Sequence, residues 1–217
     1  MILKSCNGAT TEKEEMLMDR TTFIIKCKSG ADTLKPCASE LRALAEASGV
    51  NNFSIWSVDD LLLCYGEAAG SGAAAVCDGI MARLEGAELI CAPGTMRLMY
   101  HDIGVVRQDK SLIRHRVFCT RLKPGCAEEY KRRHDALIDA RGDAVSEGPD
   151  SNFTIWHGAG YIFGYDEKVR AFDHEPTEAE KAADIAWETR QLEIMDWLTD
   201  DVDWITGQKH PAVRRVV

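Results

Sequence analysis

Asn52-Phe53-Ser54-Ile55-Trp56 returns one hundred positions later as Asn152-Phe153-Thr154-Ile155-Trp156. The correspondence runs on without a gap through Tyr65 and Tyr165 and through Glu67 and Glu167. Upstream, Leu34-Lys35-Pro36-Cys37-Ala38 has its counterpart in Leu122-Lys123-Pro124-Gly125-Cys126-Ala127. Self-similarity at a long offset marks a repeated structural unit, so the chain reads as one small domain written twice in tandem.

Phe53 to Ser57 alternates as a half-buried strand does, Asp59-Asp60 reads as a tight turn, and Leu61 to Tyr65 as the hairpin partner. Before it, Thr21 to Lys28 is rich in β-branched and apolar residues and predicts a strand. Leu34, Leu41, Leu44 and Ala45 then recur at helical spacing until Gly49. After the hairpin, Ala73 to Leu84 predicts a helix and Thr95 to Val106 a strand that closes the sheet. The order β-α-β-β-α-β is the split βαβ unit. The second half repeats it: strand Arg116 to Leu122, helix from Pro124 to about Glu147, strand Asn152 to His157, turn Gly158-Ala159-Gly160, strand Tyr161 to Tyr165, helix Thr177 to Leu198 and closing strand Ala212 to Val217. Phe53 and Ile55 point one way from their strand and Trp56 the other, so both faces carry large apolar groups. The expected fold is therefore α+β: an arm over 1–20, then two tandem ferredoxin-like units over 21–110 and 111–217. They are expected to pack sheet to sheet as a pseudo-dimer within one chain, a dimeric α+β barrel.

The 217 residues suffice for two such units. At 45% hydrophobic and 28% charged, the composition is that of a soluble globular protein. A net charge of −9 is a poor balance for gripping phosphate backbones, which argues against nucleic acid. No apolar run reaches the ~20 residues a bilayer requires, and no signal peptide is apparent. The eight cysteines contain no Cys-x-x-Cys pair and read as reduced core residues, so a cytoplasmic location is expected.

The two copies diverge at polar positions. Aligned on Cys37-Ala38 and Cys126-Ala127, Leu41 stands opposite Tyr130 and Ala45 opposite His134. Tyr130 and His134 are four apart and share one helical face. A phenol and an imidazole so placed can hold a hydroxyl and pass protons near neutral pH, chemistry that Leu and Ala cannot perform.

Glu129-Tyr130-Lys131-Arg132-Arg133-His134, followed by Asn152-Phe153-Thr154-Ile155-Trp156 and Ile162-Phe163-Gly164-Tyr165, resembles the L-rhamnose mutarotase family over roughly residues 113 to 217. The resemblance implies a ferredoxin-like fold and interconversion of the α and β anomers of a 6-deoxy sugar, with no cofactor and no metal. It implies His134 as the catalytic proton donor and Tyr130 as its substrate-contacting partner. Phe153, Trp156, His157, Tyr165 and Trp197 are the expected substrate-binding residues, with Trp187 as the other choice of stacking platform. Phe153 stands where the family has a tyrosine, and Asp135-Ala136-Leu137-Ile138 replaces its Pro-x-Trp. The expected partner is a monosaccharide, and the expected state a monomeric pseudo-dimer or a homodimer. The alternatives are a cofactorless lyase or oxygenase of the same fold and a non-catalytic sugar-binding protein.

Other chemistry-bearing residues read as structural. Asp173-His174-Glu175 precedes Pro176 and suits a solvated loop. His101, His115 and His210 lack carboxylates at ligand spacing, so no metal is expected.

Overall fold

The computed structural model describes residues 20–68, 71–145, 148–172, 175–196 and 207–217. The chain divides into two compact units, one of residues 1–95 with 214–217 and one of residues 96–213. The expected arm over 1–20 lies outside the described residues except for Arg20.

The first unit runs β1 (Arg20–Lys26), α1 (Gly30–Leu34), α2 (Ala38–Ala47), β2 (Asn51–Val58), β3 (Leu61–Glu67), α3 (Gly72–Met81) and β4 (Glu88–Cys91). β4-β1-β3-β2 is the order of a split βαβ sheet, and a further strand, β9 (Arg214–Arg215), lies beside β2. α2 contributes Leu41 and Ala45, and α3 contributes Ala73, Val76, Cys77 and Ile80. Most of these pack with Phe23, Ile25, Ile55, Leu62 and Cys64 into one apolar cluster. Leu41 and Ala45, the counterparts of Tyr130 and His134, are spent on packing in this unit.

The second unit contains β5 (Arg97–Asp102), β6 (Ile113–Arg121), α4 (Ala127–Arg141), β7 (Asp150–Gly158), β8 (Tyr161–Val169) and α5 (Glu178–Gln191). Its sheet order is β5-β7-β8-β6, all antiparallel. α4 carries Glu128 and Glu129 in its first turn and Arg141 in its last, which complements the helix dipole, and Gly142 at φ 59° ends it. Thr177 and Glu180 form a reciprocal capping box at the start of α5.

The α+β architecture of two antiparallel sheets with helices is the expected one, but two strands are exchanged. The segment read as closing the first sheet is β5, and it pairs with β7 of the second. The C-terminal segment read as closing the second sheet is β9, and it pairs with β2 of the first. The first sheet closes instead with β4, beside β1. In the second unit that place holds a single bridge, Leu122 to Met195, because α5 stops at Gln191 and residues 192–196 turn back along β6. α4 likewise ends at Arg141, short of Glu147.

The repeated motif has a backbone reason. Asn52 (φ 46°) and Asn152 (φ 53°) both adopt the left-handed region, which asparagine tolerates better than most residues. Each sits at a bulge where the register to the next strand shifts. Each also bonds the glutamate across the sheet. Asn52 Nδ2 donates to Glu67 Oε1 at 2.9 Å with Tyr65 OH on the same oxygen at 2.8 Å, and Asn152 and Tyr165 do the same to Glu167 at 3.2 and 2.9 Å. In the second unit Lys110 Nζ also reaches both Glu167 oxygens, at 2.8 and 2.9 Å.

Candidate functional site

Cross-strand partners share a face, so the register sorts the side chains of the second sheet. Tyr100, Ile155, Gly164 and Phe118 form one row across its four strands. Ile155, Phe118 and Ile162 cluster with Tyr130 of α4 and with Ile194 and Met195, which identifies this as the helix-covered face. Trp156, Phe163, Tyr165 and Thr154 alternate onto the other face.

Tyr130 and His134 both point inward and are 3% and 5% exposed. Their rings stack at 4.1 Å with 23° between planes. The edge of Tyr100 meets the imidazole at 5.5 Å, and Trp187 of α5 meets it at 5.6 Å. Phe153 extends the aromatic lining, 5.3 Å from Tyr100 and 6.4 Å from Phe118. His134 Nδ1 lies 2.9 Å from the Tyr130 carbonyl oxygen. A carbonyl only accepts, so Nδ1 carries the hydrogen and Nε2 the lone pair. Burial lowers the His134 pKa, outweighing the support of that hydrogen bond. Burial, with the charge of Glu188, raises the Tyr130 phenol far above its usual range, so it stays a neutral hydroxyl.

Arg133, the residue before His134, is buried and ties the two helices of the unit together. Its guanidinium reaches Glu129 at 2.7 Å, Glu193 at 2.7 Å and the Arg190 carbonyl. The Glu-Tyr-x-Arg-Arg-His run therefore has two jobs: one face reaches into the unit, and Glu129 with Arg133 holds α4 to the end of α5.

Other expected residues lie elsewhere. Tyr165 is fully buried on the face away from α4 and bonded to Glu167, as Tyr65 is to Glu67, so it is not brought to His134. Trp156 is buried on that same face, 6.1 Å from Phe163. His157 is half-buried beside Arg97 and Glu128 near the start of α4, with burial and the Arg97 charge lowering its pKa. Trp197, Asp173 and His174 lie outside the described residues. Tyr130 and His134 face the helix-covered side of their own sheet. A surface groove of about 400 Å³ on the outer side of α4, lined by Arg97, Glu128, Lys131, Arg132, Asp135, Ala136 and Asp139, contains neither of them. Among the described residues no group of three His, Cys, Asp or Glu side chains is arranged to hold a metal ion.

Three residues escaped the sequence reading. Tyr100 comes from the exchanged strand β5, a placement no local pattern announces. Asp166 on β8 is fully buried beside the Asp150 carboxyl. Gln191, the buried residue of α5, has both amide atoms without a partner among the described residues. The signal for Asp166 was present: the ungapped repeat sets it against Gly66.

No curated protein matches this chain. Among solved structures, a "putative monooxygenase" of Fusobacterium nucleatum is 8% identical, with a TM-score of 0.51 over 91% of this chain and 92% of that one. A "putative monooxygenase" of Lactobacillus acidophilus is 9% identical, with a TM-score of 0.46 over 92% and 93%. The first shares the fold, and at that identity the likeness says nothing of chemistry. The helix-and-sheet unit that holds His134 is similar to a family of defined activity: residues 115–214 match the model of L-rhamnose mutarotase.

Proposed function

We propose that the second unit is a sugar mutarotase that interconverts the α and β anomers of L-rhamnose or a related 6-deoxy sugar without a cofactor. The observation that carries this reading is the inward-facing, tautomer-fixed His134, stacked on Tyr130 within the segment that matches the family.

Mutarotation removes a proton from the anomeric hydroxyl and delivers one to the ring oxygen. The C1–O5 bond breaks, an aldehyde forms, its face rotates and the ring recloses. His134 rests neutral with Nε2 unprotonated, so it acts first as the base toward the anomeric hydroxyl. The imidazolium so formed then returns a proton, which is where the donor role expected from the family enters. Such acid–base help is worth roughly 10²–10⁴-fold. Tyr130, held as a neutral phenol, positions a hydroxyl. Trp187, Tyr100 and Phe153 offer apolar surface to the sugar's methyl and C–H faces.

In this reading the two units are diverged copies of one ancestor, the first reduced to scaffold. A cytoplasmic location belongs to the same proposal, and the free thiols of the described cysteines support it. No described helix is long and apolar enough to cross a membrane. An aromatic-lined site would also receive a phenolic substrate of a cofactorless oxygenase.

The test is NMR saturation transfer between the anomeric signals of L-rhamnose. The protein should speed the exchange catalytically, and His134→Ala should return it to the uncatalysed rate with the fold kept. Equal rates for wild type and His134→Ala would refute the reading.

A further inference from the structure

The contrast that singles out Tyr130 and His134 extends to a third position. Tyr100 of β5 stands opposite Ile155 of β7, two residues beyond the Leu98–Trp156 pair. In the first sheet Arg215 of β9 stands opposite Trp56, and two residues on Val217 donates its N–H to the Ile55 carbonyl at 3.2 Å. Val217 therefore holds the place of Tyr100, and it packs in the same apolar cluster as Leu41 and Ala45. Three positions that pack as Leu, Ala and Val in one unit are Tyr, His and Tyr in the other. There the three rings are joined through the imidazole: Tyr130 stacks on it and the edge of Tyr100 meets it at 5.5 Å. Tyr130 and His134 are buried, whereas Tyr100 is only half-buried and stays within reach of a molecule that enters from solvent.

A difference in helix length bears on the same residue. α4 has 15 residues and α2 has 10. The added length ends in Arg141, seven residues from His134 and so on the same helical face. Three successive residues of β5 hold its guanidinium. It bonds the Asp102 carboxylate at 3.1 Å, the His101 carbonyl at 3.2 Å and the Tyr100 hydroxyl. A guanidinium only donates, so the Tyr100 oxygen accepts, and the phenol's own hydrogen is not used in that bond. Burial first and the Asp102 charge second raise the phenol's pKa against a lowering by Arg141, so this hydrogen is in place at neutral pH. The touching rings thus offer one acceptor, His134 Nε2, and one donor, the Tyr100 O–H. Anomer exchange moves two protons, one at each of the two oxygens bonded to C1.

We propose that Tyr100 is the catalytic acid at the ring oxygen and that Arg141 is the positioning residue that aims it. This rests on the reading of His134 as the base of a mutarotase. On opening, the anomeric proton passes to His134 Nε2 and the O1 electron pair forms the C1=O1 bond. The C1–O5 pair goes to O5, which takes the Tyr100 proton. The phenolate left behind is held by the Arg141 guanidinium. On closing, O5 attacks the other face of C1 and returns its proton to Tyr100, while the imidazolium returns the Nε2 proton to O1. No proton is gained or lost over the cycle, and no co-reactant is needed.

The experiment measures anomer exchange by NMR for wild type, His134→Ala, Tyr100→Phe, Arg141→Gln and the double variant Tyr100→Phe/Arg141→Gln. The substrates are L-rhamnose and 5-thio-L-rhamnose, whose ring atom is sulfur and leaves as a thiolate without a proton. Tyr100→Phe keeps the ring beside His134 and should lower kcat on L-rhamnose about 10²-fold, with KM near the wild-type value. On the thio sugar the same variant should lose only a few-fold, while His134→Ala loses exchange on both. Arg141→Gln should lower kcat about 10-fold, and the double variant should be no slower than Tyr100→Phe alone, because the arginine acts through the phenol. Tyr100→Phe exchanging L-rhamnose as wild type does, with His134→Ala inactive, would overturn the proposal and leave the mutarotase reading intact. Equal losses on the two sugars, a loss confined to KM, or a Tyr100→Phe protein that does not fold would make the hydroxyl structural and overturn it as well. Additive losses in the double variant would remove Arg141 from the positioning role. If the wild type does not turn over the thio sugar, the split between kcat and KM on L-rhamnose decides. A wild type that exchanges no anomers of L-rhamnose overturns the proposal together with the reading beneath it.

Discussion

His134 Nδ1 stands 2.9 Å from the carbonyl oxygen of Tyr130, one helical turn back. That bond fixes which nitrogen is basic, and burial fixes when. The folded pKa lies below the ordinary 6.5, so the native state prefers the neutral ring. An unfolded chain takes up a proton at 6.5 that the native chain refuses. The stability this group contributes is therefore complete above pH 6.5 and is lost as pH falls through the window beneath it. The acid limb of kcat/KM for anomer exchange should lie below pH 6.5. Thermal midpoints of wild type should drop relative to His134→Phe between about pH 7 and 5. A limb at or above the ordinary histidine value would mean the imidazole is not the desolvated base described.

The phenol of Tyr130 should contribute through its hydroxyl and its ring separately. Tyr130→Phe keeps the stacked ring at 4.1 Å and removes one hydrogen-bonding group, so kcat/KM should fall about 10-fold with stability little changed. Tyr130→Leu installs the residue of the first unit and removes the stack as well. It should cost a further ~1 kcal/mol in urea unfolding, the scale of an aromatic pair. Identical losses in the two variants would show that the hydroxyl alone matters.

The strand pattern that surrounds Asn52 and Asn152 was legible because it is local. A period-two strand and a hairpin each depend on a few neighbouring residues. Tyr130 and His134 were legible through the contrast with Leu41 and Ala45 at a fixed helical spacing. The exchanged strands were not, because β5 and β9 carry nothing that states which of two similar sheets they should join; only long-range pairing decides it. Tyr165 misled for a related reason. Its hydroxyl has a repeated partner, Glu167, on the far face of the sheet, and the alternation of a strand does not say which of its two faces the helices cover. Asp166 stood in plain view against Gly66, yet a single acidic residue in a strand looks like an edge charge until its complete burial is known.

That burial carries its own pH signature. The Asp166 carboxyl has a folded pKa raised from 3.8, so the native state binds its proton more tightly than the unfolded chain does. Its favourable share of stability is whole below 3.8 and disappears as pH rises through the folded value. The amide of the Asp166→Asn variant carries no such dependence. The difference in melting temperature, Asp166→Asn minus wild type, should therefore grow as pH rises from about 4 toward neutrality. Arg116, Lys168 and Asp150 face this carboxyl and remain in both proteins. A difference that stays flat with pH would mean the carboxyl is solvated.

Gly164 is the position beneath the site where the least change should do the most harm. It sits between Phe118 and Ile155 in the row that floors the aromatic lining, and the Phe118 ring occupies the space its Cβ would need. The ring has little freedom to withdraw. The Arg116 guanidinium lies over it at 5.3 Å, and Phe153 meets its edge at 6.4 Å. Gly164→Ala must push Phe118, and with it Phe153 and the Tyr100 edge that contacts His134. Overpacking of this kind costs about 1–3 kcal/mol, so the urea midpoint should fall by that equivalent and kcat/KM should fall with it. Adding Phe118→Leu in the same chain should recover much of the stability, since the second change vacates the contested volume, and the two effects should be strongly non-additive. Additive losses would show that the ring does not lie on the glycine and that the floor of the site is arranged differently.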